Sequence, residues 1–182
     1  MTTTNSTQAK WVIDPMHSEV LFKVKHLMIS TVTGSFQKFS GIVTTQSEDF
    51  ENAEIQFSID VNSISTNQEM RDNHLKGDDF FSTEKYPAID FKSSSFKKLN
   101  DKDYAVVGNL TMKGVTKEVE VKAEYGGTSN DQMGNLKAGF EISGTINRKD
   151  FGLTYNSLTE TGGLALSENI KLIANIQIAK QS

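Results

Sequence analysis

Along most of this chain apolar and polar residues take turns. In "HSEVLFKVKHL", Val20, Phe22, Val24 and His26 share one parity, while Glu19, Leu21, Lys23 and Lys25 share the other. Successive side chains of an extended strand point to opposite faces. The segment therefore predicts a strand with one apolar face that ends in a histidine. The same alternation recurs in Ile55, Phe57, Ile59 and Val61, and in Ile89 and Phe91. It returns in Tyr104, Val106, Gly108 and Leu110, then in Val119, Val121, Ala123 and Tyr125. Ala138, Phe140, Ile142, Gly144 and Ile146 form the next face, and Ile170, Leu172, Ala174, Ile176 and Ile178 form the last. The pairs Asn100-Asp101, Lys113-Gly114, Gly126-Gly127 and Gly162-Gly163 read as turns between these runs. About eight strands with short connections and one buried face each predict an all-β, antiparallel sandwich or barrel in a single domain.

One segment breaks the alternation, "STNQEMRDNHLKGDDFFSTEKYP". Thr66 followed three residues later by Glu69 has the spacing of a capping box, and Gly77 stands where a short helix would stop. Met70, His74 and Leu75 are expected on its apolar side, and Phe80 and Phe81 supply area for docking it on the sheet. Residues 1–10 are polar and are expected to form a disordered tail, which leaves 11–182 for the folded domain.

Composition narrows the chemistry. The net charge of −4 and the scattered lysines and arginines argue against a nucleic-acid partner. The chain has no cysteine, so disulfides, thiolate metal sites and cysteine nucleophiles are excluded. No run approaches the roughly 20 apolar residues that span a bilayer. The start "MTTTNSTQAK" lacks a basic, then apolar, export signal, which predicts a cytoplasmic protein, or a periplasmic one if a signal has been removed.

His17 and His26 are separated by an odd number of positions and would face opposite sides of a regular strand, so no metal site is expected there. Asp150-Phe151-Gly152 spells a kinase tripeptide without the rest of the kinase set and reads as a strand end with a glycine turn. His26 and Arg148 each continue an apolar strand face to its end. They are either rim residues satisfied within the protein or polar contacts for the head group of an apolar ligand.

The stretches "WVIDPMHSEVLFKVKHLMISTVTGSFQKFSG", "MRDNHLKGDDFFSTEKYPAIDFKS", "GNLTMKGVTKEVEV" and "GTINRKDFGL" resemble the YceI-like family in order and spacing, from Trp11 to about Ile178. The resemblance implies an elongated, lipocalin-like antiparallel β-barrel with a helical insertion. It also implies a tunnel for a long apolar molecule such as a polyisoprenoid, an isoprenoid quinone or a fatty-acid derivative, in proteins that are often dimeric and periplasmic.

Alternation alone cannot separate a filled barrel from a hollow one, since about eight strands suit either. With the tunnel that the resemblance supplies, Val20, Phe22, Val24, Ile55, Phe57, Ile59, Phe91, Phe140 and Ile142 become its expected lining. Met70, Leu75 and Phe80 fall near its mouth, and His26 and Arg148 at its polar end. The expectation is a non-catalytic binding protein without a cofactor, carrying a long apolar small molecule. The rivals are an enzyme using His26 and Arg148 on an apolar substrate, and a solidly packed interaction module.

Overall fold

The alternating runs form eleven strand segments, which the computed structural model describes over residues 8–47, 49–157 and 165–182. They are β1 (Ala9–Ile13), β2 (Glu19–His26), β3 (Ser30–Phe36), β4 (Phe39–Thr45), β5 (Glu54–Asp60), β6 (Ile64–Ser65), β7 (Ala88–Lys98), β8 (Asp103–Met112), β9 (Val115–Asn130), β10 (Leu136–Asn147) and β11 (Asn169–Lys180). Helix α1 (Glu69–Lys76) lies between β6 and β7. β1 and β2 are halves of one strand, as are β3 with β4 and β5 with β6, because β4 pairs β1 and β5 while β3 pairs β2 and β6. The result is an eight-stranded antiparallel barrel that runs up and down in sequence order. Pairing of Trp11 with Lys180 and of Ile13 with Ile178 closes it, so no edge is left between first and last strands.

Each break has a local cause. Between β1 and β2, Pro15 denies the ladder an N–H, and a short 3-10 turn, Pro15–His17, takes over. Asp14 caps this turn by accepting from the Met16 amide at 3.1 Å. Its carboxylate also meets Lys137 Nζ at 2.8 Å and His17 Nδ1 at 2.7 Å. His17 therefore stands on a turn and not in the strand expected for it.

The hairpin of β2 and β3 is a tight turn with Leu27 at φ 53° and Met28 at φ 59°, closed by the Ile29 amide donating to the His26 carbonyl at 3.2 Å. Lys113-Gly114 makes the equivalent turn between β8 and β9, as expected. Gly126-Gly127, by contrast, lies inside β9, where a register shift opposite Gly139 and Phe140 absorbs it as a bulge. The real turn comes at Asp131–Gly134, where Asp131 accepts from the Met133 and Asn135 amides. Gly162-Gly163 lies outside the described residues.

The helix spans eight residues, and its N-terminus has no side-chain cap. The capping box fails because the Thr66 hydroxyl donates to Asp72 at 2.6 Å instead. The tail is also shorter than expected: Ala9 and Lys10 pair with Thr45 and Thr44, and residues 1–7 lie outside the described part.

One end of the barrel is sealed by aromatic rings. Phe50, 2% exposed, stands 5.2 Å from Trp11 and 5.1 Å from Phe140 between ring centroids. Phe96 and Tyr104 stack at 4.7 Å beside them, and the Tyr104 hydroxyl donates to the Asp49 carbonyl.

The Lys137 ammonium, His17 and the Met16 amide hold the Asp14 carboxyl at a pKa of about 2, against its ordinary 3.8. A depressed folded value stabilises the protein above the unfolded pKa, and this contribution is lost as pH falls through about 2. Asp14→Asn is expected to lose on the order of 2 kcal/mol in urea unfolding at neutral pH, and the difference from the native protein should shrink toward zero near pH 2.

Candidate ligand cavity

The inward faces of the strands do not meet. Val20, Phe22, Val24, Ile55, Phe57, Phe91, Phe140 and Ile142 all have inward parity, yet each is only half-buried. Side chains that filled a core would be sealed from solvent at such positions. Here their remaining accessible surface is the wall of a cavity of about 520 Å³, within the range of roughly 300–1,000 Å³ of small-molecule sites. At the ~30 Å³ that a water-sized group occupies in a liquid, it has room for about 17 chain carbons.

Small residues opposite large rings keep this bore open. Phe22 pairs directly with Gly34 across β2 and β3, and Phe57 with Gly41 across β4 and β5. A Cβ on Gly34 would fall within the Phe22 ring, and one on Gly41 would stand 3.1 Å from the ring of Phe57. Each ring thus lies over the bare backbone of its partner strand, along the wall and not across the bore. The strand pattern singled out neither glycine.

Of the residues expected at the site, Val20, Phe22, Val24, His26, Ile55, Phe57, Ile59, Leu75, Phe80, Phe91, Phe140, Ile142 and Arg148 line this one cavity. Met70 does not. It is 86% exposed, because α1 docks with Leu75 toward the cavity and turns Met70 to solvent. Residues that the strand pattern did not single out also contribute, among them Thr66, Arg71, Tyr155, Ser157 and Leu166.

The wall is segregated by polarity. Its polar members, His26, Thr66, Arg71, His74, Arg148, Tyr155 and Ser157, belong to the helix end of the barrel. The rest of the bore, down to the aromatic seal, is hydrocarbon. At the helix end the His74 ring packs on Tyr155 at 5.1 Å, and Tyr155 packs on Phe80 at 5.0 Å. His74 and Tyr155 both line the cavity and are partly exposed, so its wall meets solvent at this end. Arg71 donates to the Thr66 hydroxyl and carbonyl, each at 2.8 Å, which fastens the start of the helix to β6.

Arg148 is 3% exposed. Its Nε donates to the Ser167 carbonyl at 2.9 Å, and Nη1 donates to the carbonyls of Leu153 at 2.6 Å and Tyr155 at 2.8 Å. Burial pushes its pKa below the usual arginine value, and Glu168 partly restores it. Arg148 is therefore buried and not at the rim, and among the described residues protein carbonyls satisfy only part of it.

A YceI-like domain model matches residues 11–178. The chain belongs to the YceI-like family. A UPF0312 protein of Staphylococcus aureus (strain N315) is 38% identical over 170 residues, covering 93% of this chain and 96% of that protein. The crystallised YceI protein of Campylobacter jejuni is 34% identical with a TM-score of 0.76, over 88% of this chain and 91% of that one. A polyisoprenoid-binding domain from Saccharophagus degradans shares the fold at a TM-score of 0.70 and 17% identity, over 94% of this chain and 98% of that one. The lipocalin-like YceI barrel expected from the sequence is the barrel seen. Among the described residues, no helix is long and apolar enough to cross a membrane.

Since the rings lie over glycine, Gly34→Ala is expected to push the Phe22 ring into the bore and narrow it. A fluorescent apolar probe such as N-phenyl-1-naphthylamine should then bind several-fold more weakly than to the native protein, and equal binding would show that the ring finds room elsewhere.

Proposed function

We propose that this YceI-like protein is a non-catalytic carrier that holds a long-chain isoprenoid, isoprenoid quinone or fatty-acid-like lipid inside its barrel. The observation that carries this reading is the hollow itself, a bore of about 520 Å³ walled by apolar residues that fail to close on one another. The Saccharophagus degradans domain, described as polyisoprenoid-binding, supports it by sharing the architecture.

The physics suits a guest with a long tail. Each CH₂ moved from water into hydrocarbon contributes roughly 0.8 kcal/mol. About 17 enclosed carbons therefore supply ample gross driving force, part of which is offset by ordering of the chain and loss of translation. The aromatic seal and the polar helix end give the bore a direction: the tail goes in first and the head remains beside His26, Arg71 and Arg148.

Native mass spectrometry and organic extraction of the purified protein test the proposal. A single-tailed lipid is expected in the bore, or is taken up when offered. A protein that carries none and accepts none would overturn it. Phe57→Arg places an unpaired charge in the hydrocarbon section and is expected to abolish uptake while the barrel's far-ultraviolet circular dichroism is retained. Undiminished uptake by the folded variant would mean that the lipid lies elsewhere.

A further inference from the structure

Among the described residues, the charged side chains that line the bore are all of one sign. Arg71 and Arg148 line it and no described aspartate or glutamate does, in a chain whose net charge is −4. The two arginines differ in how far the protein satisfies them. Arg71 is tied through the Thr66 hydroxyl to the Asp72 carboxylate. His74, also in the wall, is held by Asp79 at 2.9 Å. Arg148 has no carboxylate within ion-pair distance among the described residues, and the neighbouring Glu168 is engaged by Lys149 at 2.7 Å. Its three described protein acceptors are neutral carbonyls, and Nη2, fully buried, has no hydrogen-bond partner among the described residues.

A buried guanidinium without a counter-charge is strongly destabilising, and an orphaned buried donor adds to that cost. Packing alone gives no reason to keep such a group at the polar end of an otherwise apolar bore. An anionic oxygen would supply both what Nη2 lacks and the charge that the carbonyls cannot offer, through a short charge-assisted bond of the kind arginine forms with carboxylate and phosphate.

We propose that the helix end of the bore is an anion site, in which Arg148 receives the carboxylate or phosphate head of a single-tailed amphiphile whose chain fills the hydrocarbon section. This rests on the lipid-carrier reading and sharpens it, since a neutral guest of equal length would leave Arg148 uncompensated. The bonds of Nε and Nη1 to the carbonyls of Ser167, Leu153 and Tyr155 hold the guanidinium in place for this purpose. The arginine thus has three bonds that serve the fold and a covered Nη2 that a guest's head group reaches by displacing the wall over it.

Three probes with one saturated chain, hexadecanoate, hexadecyl phosphate and 1-hexadecanol, separate the ideas by calorimetric titration of the lipid-stripped full chain. At least one of the two anions is expected to bind tenfold or more tightly than the alcohol. In Arg148→Gln the ratio of anion to alcohol affinity should fall toward one, while Arg148→Lys, which keeps the charge but not the fork, should retain part of it. An alcohol that binds as tightly as both anions, or a full preference surviving in folded Arg148→Gln, would overturn the anion site and leave the carrier intact. Binding of none of the three would instead overturn the carrier reading. Should Arg148→Gln fail to fold, the labelled guanidinium resonance of Arg148 in the native protein decides. It should move on addition of hexadecanoate or hexadecyl phosphate and not of hexadecanol, and no movement with either anion would reject the site.

Discussion

Pairing of β1 with β11 returns the sheet to its own beginning, and the hollow depends on that closure. A sandwich is held together by the side chains between its sheets, so emptying its middle removes what binds the halves. A closed barrel is different: each strand has a neighbour on both sides, and the ladder of backbone hydrogen bonds goes all the way round. Much of the burden of cohesion moves from the interior to the wall. Only then can Phe22 and Phe57 lie over glycine without the protein losing its integrity. The aromatic cluster around Phe50 supplies solid packing at one end, and a second buried cluster around Val61 and Phe151 does so near the helix.

The strand pattern was legible because closure leaves its mark on every strand. One face must be apolar whether it packs on neighbours or on a guest, so alternation located eleven of the expected residues that line the bore, from Val20 to Arg148, and the helical segment added Leu75 and Phe80. It could not tell packing from lining, since the same leucines and phenylalanines serve both. The difference lay in glycines such as Gly34 and Gly41, whose meaning depends on what stands across the ladder. Misreadings arose where local signals met tertiary competition. Thr66 has the spacing of a helix cap, yet Asp72 and Arg71 claim its hydroxyl. Gly126-Gly127 looks like a turn, but the long β9 runs through it. Met70 seemed apolar enough to face inward, and an eight-residue helix with only one docked side left it outside. The setting of Arg148 was beyond any pattern, because its partners are main-chain carbonyls, which no residue type advertises.

Segregation of polarity along the bore gives the fold its functional logic. The aromatic seal and the lining arginines stand toward opposite ends of the barrel, with the helix at the arginine end. That end is also where the chain departs most from regular pairing: β6 has only two residues, and α1 takes the place of a longer strand there. Irregularity in the wall is what lets polar side chains and solvent approach the opening, while the regular part of the barrel stays dry.

The aromatic seal makes the bore a blind one. On the carrier reading proposed above, a chain threaded into it would advance until its tip met Phe50 and Phe140, with any carbons beyond that depth left outside. Affinity should therefore climb with each added methylene up to the depth of the shaft and then level off. Such a barrel measures its guests against a fixed stop, as a depth gauge does, and admits longer ones without rewarding them.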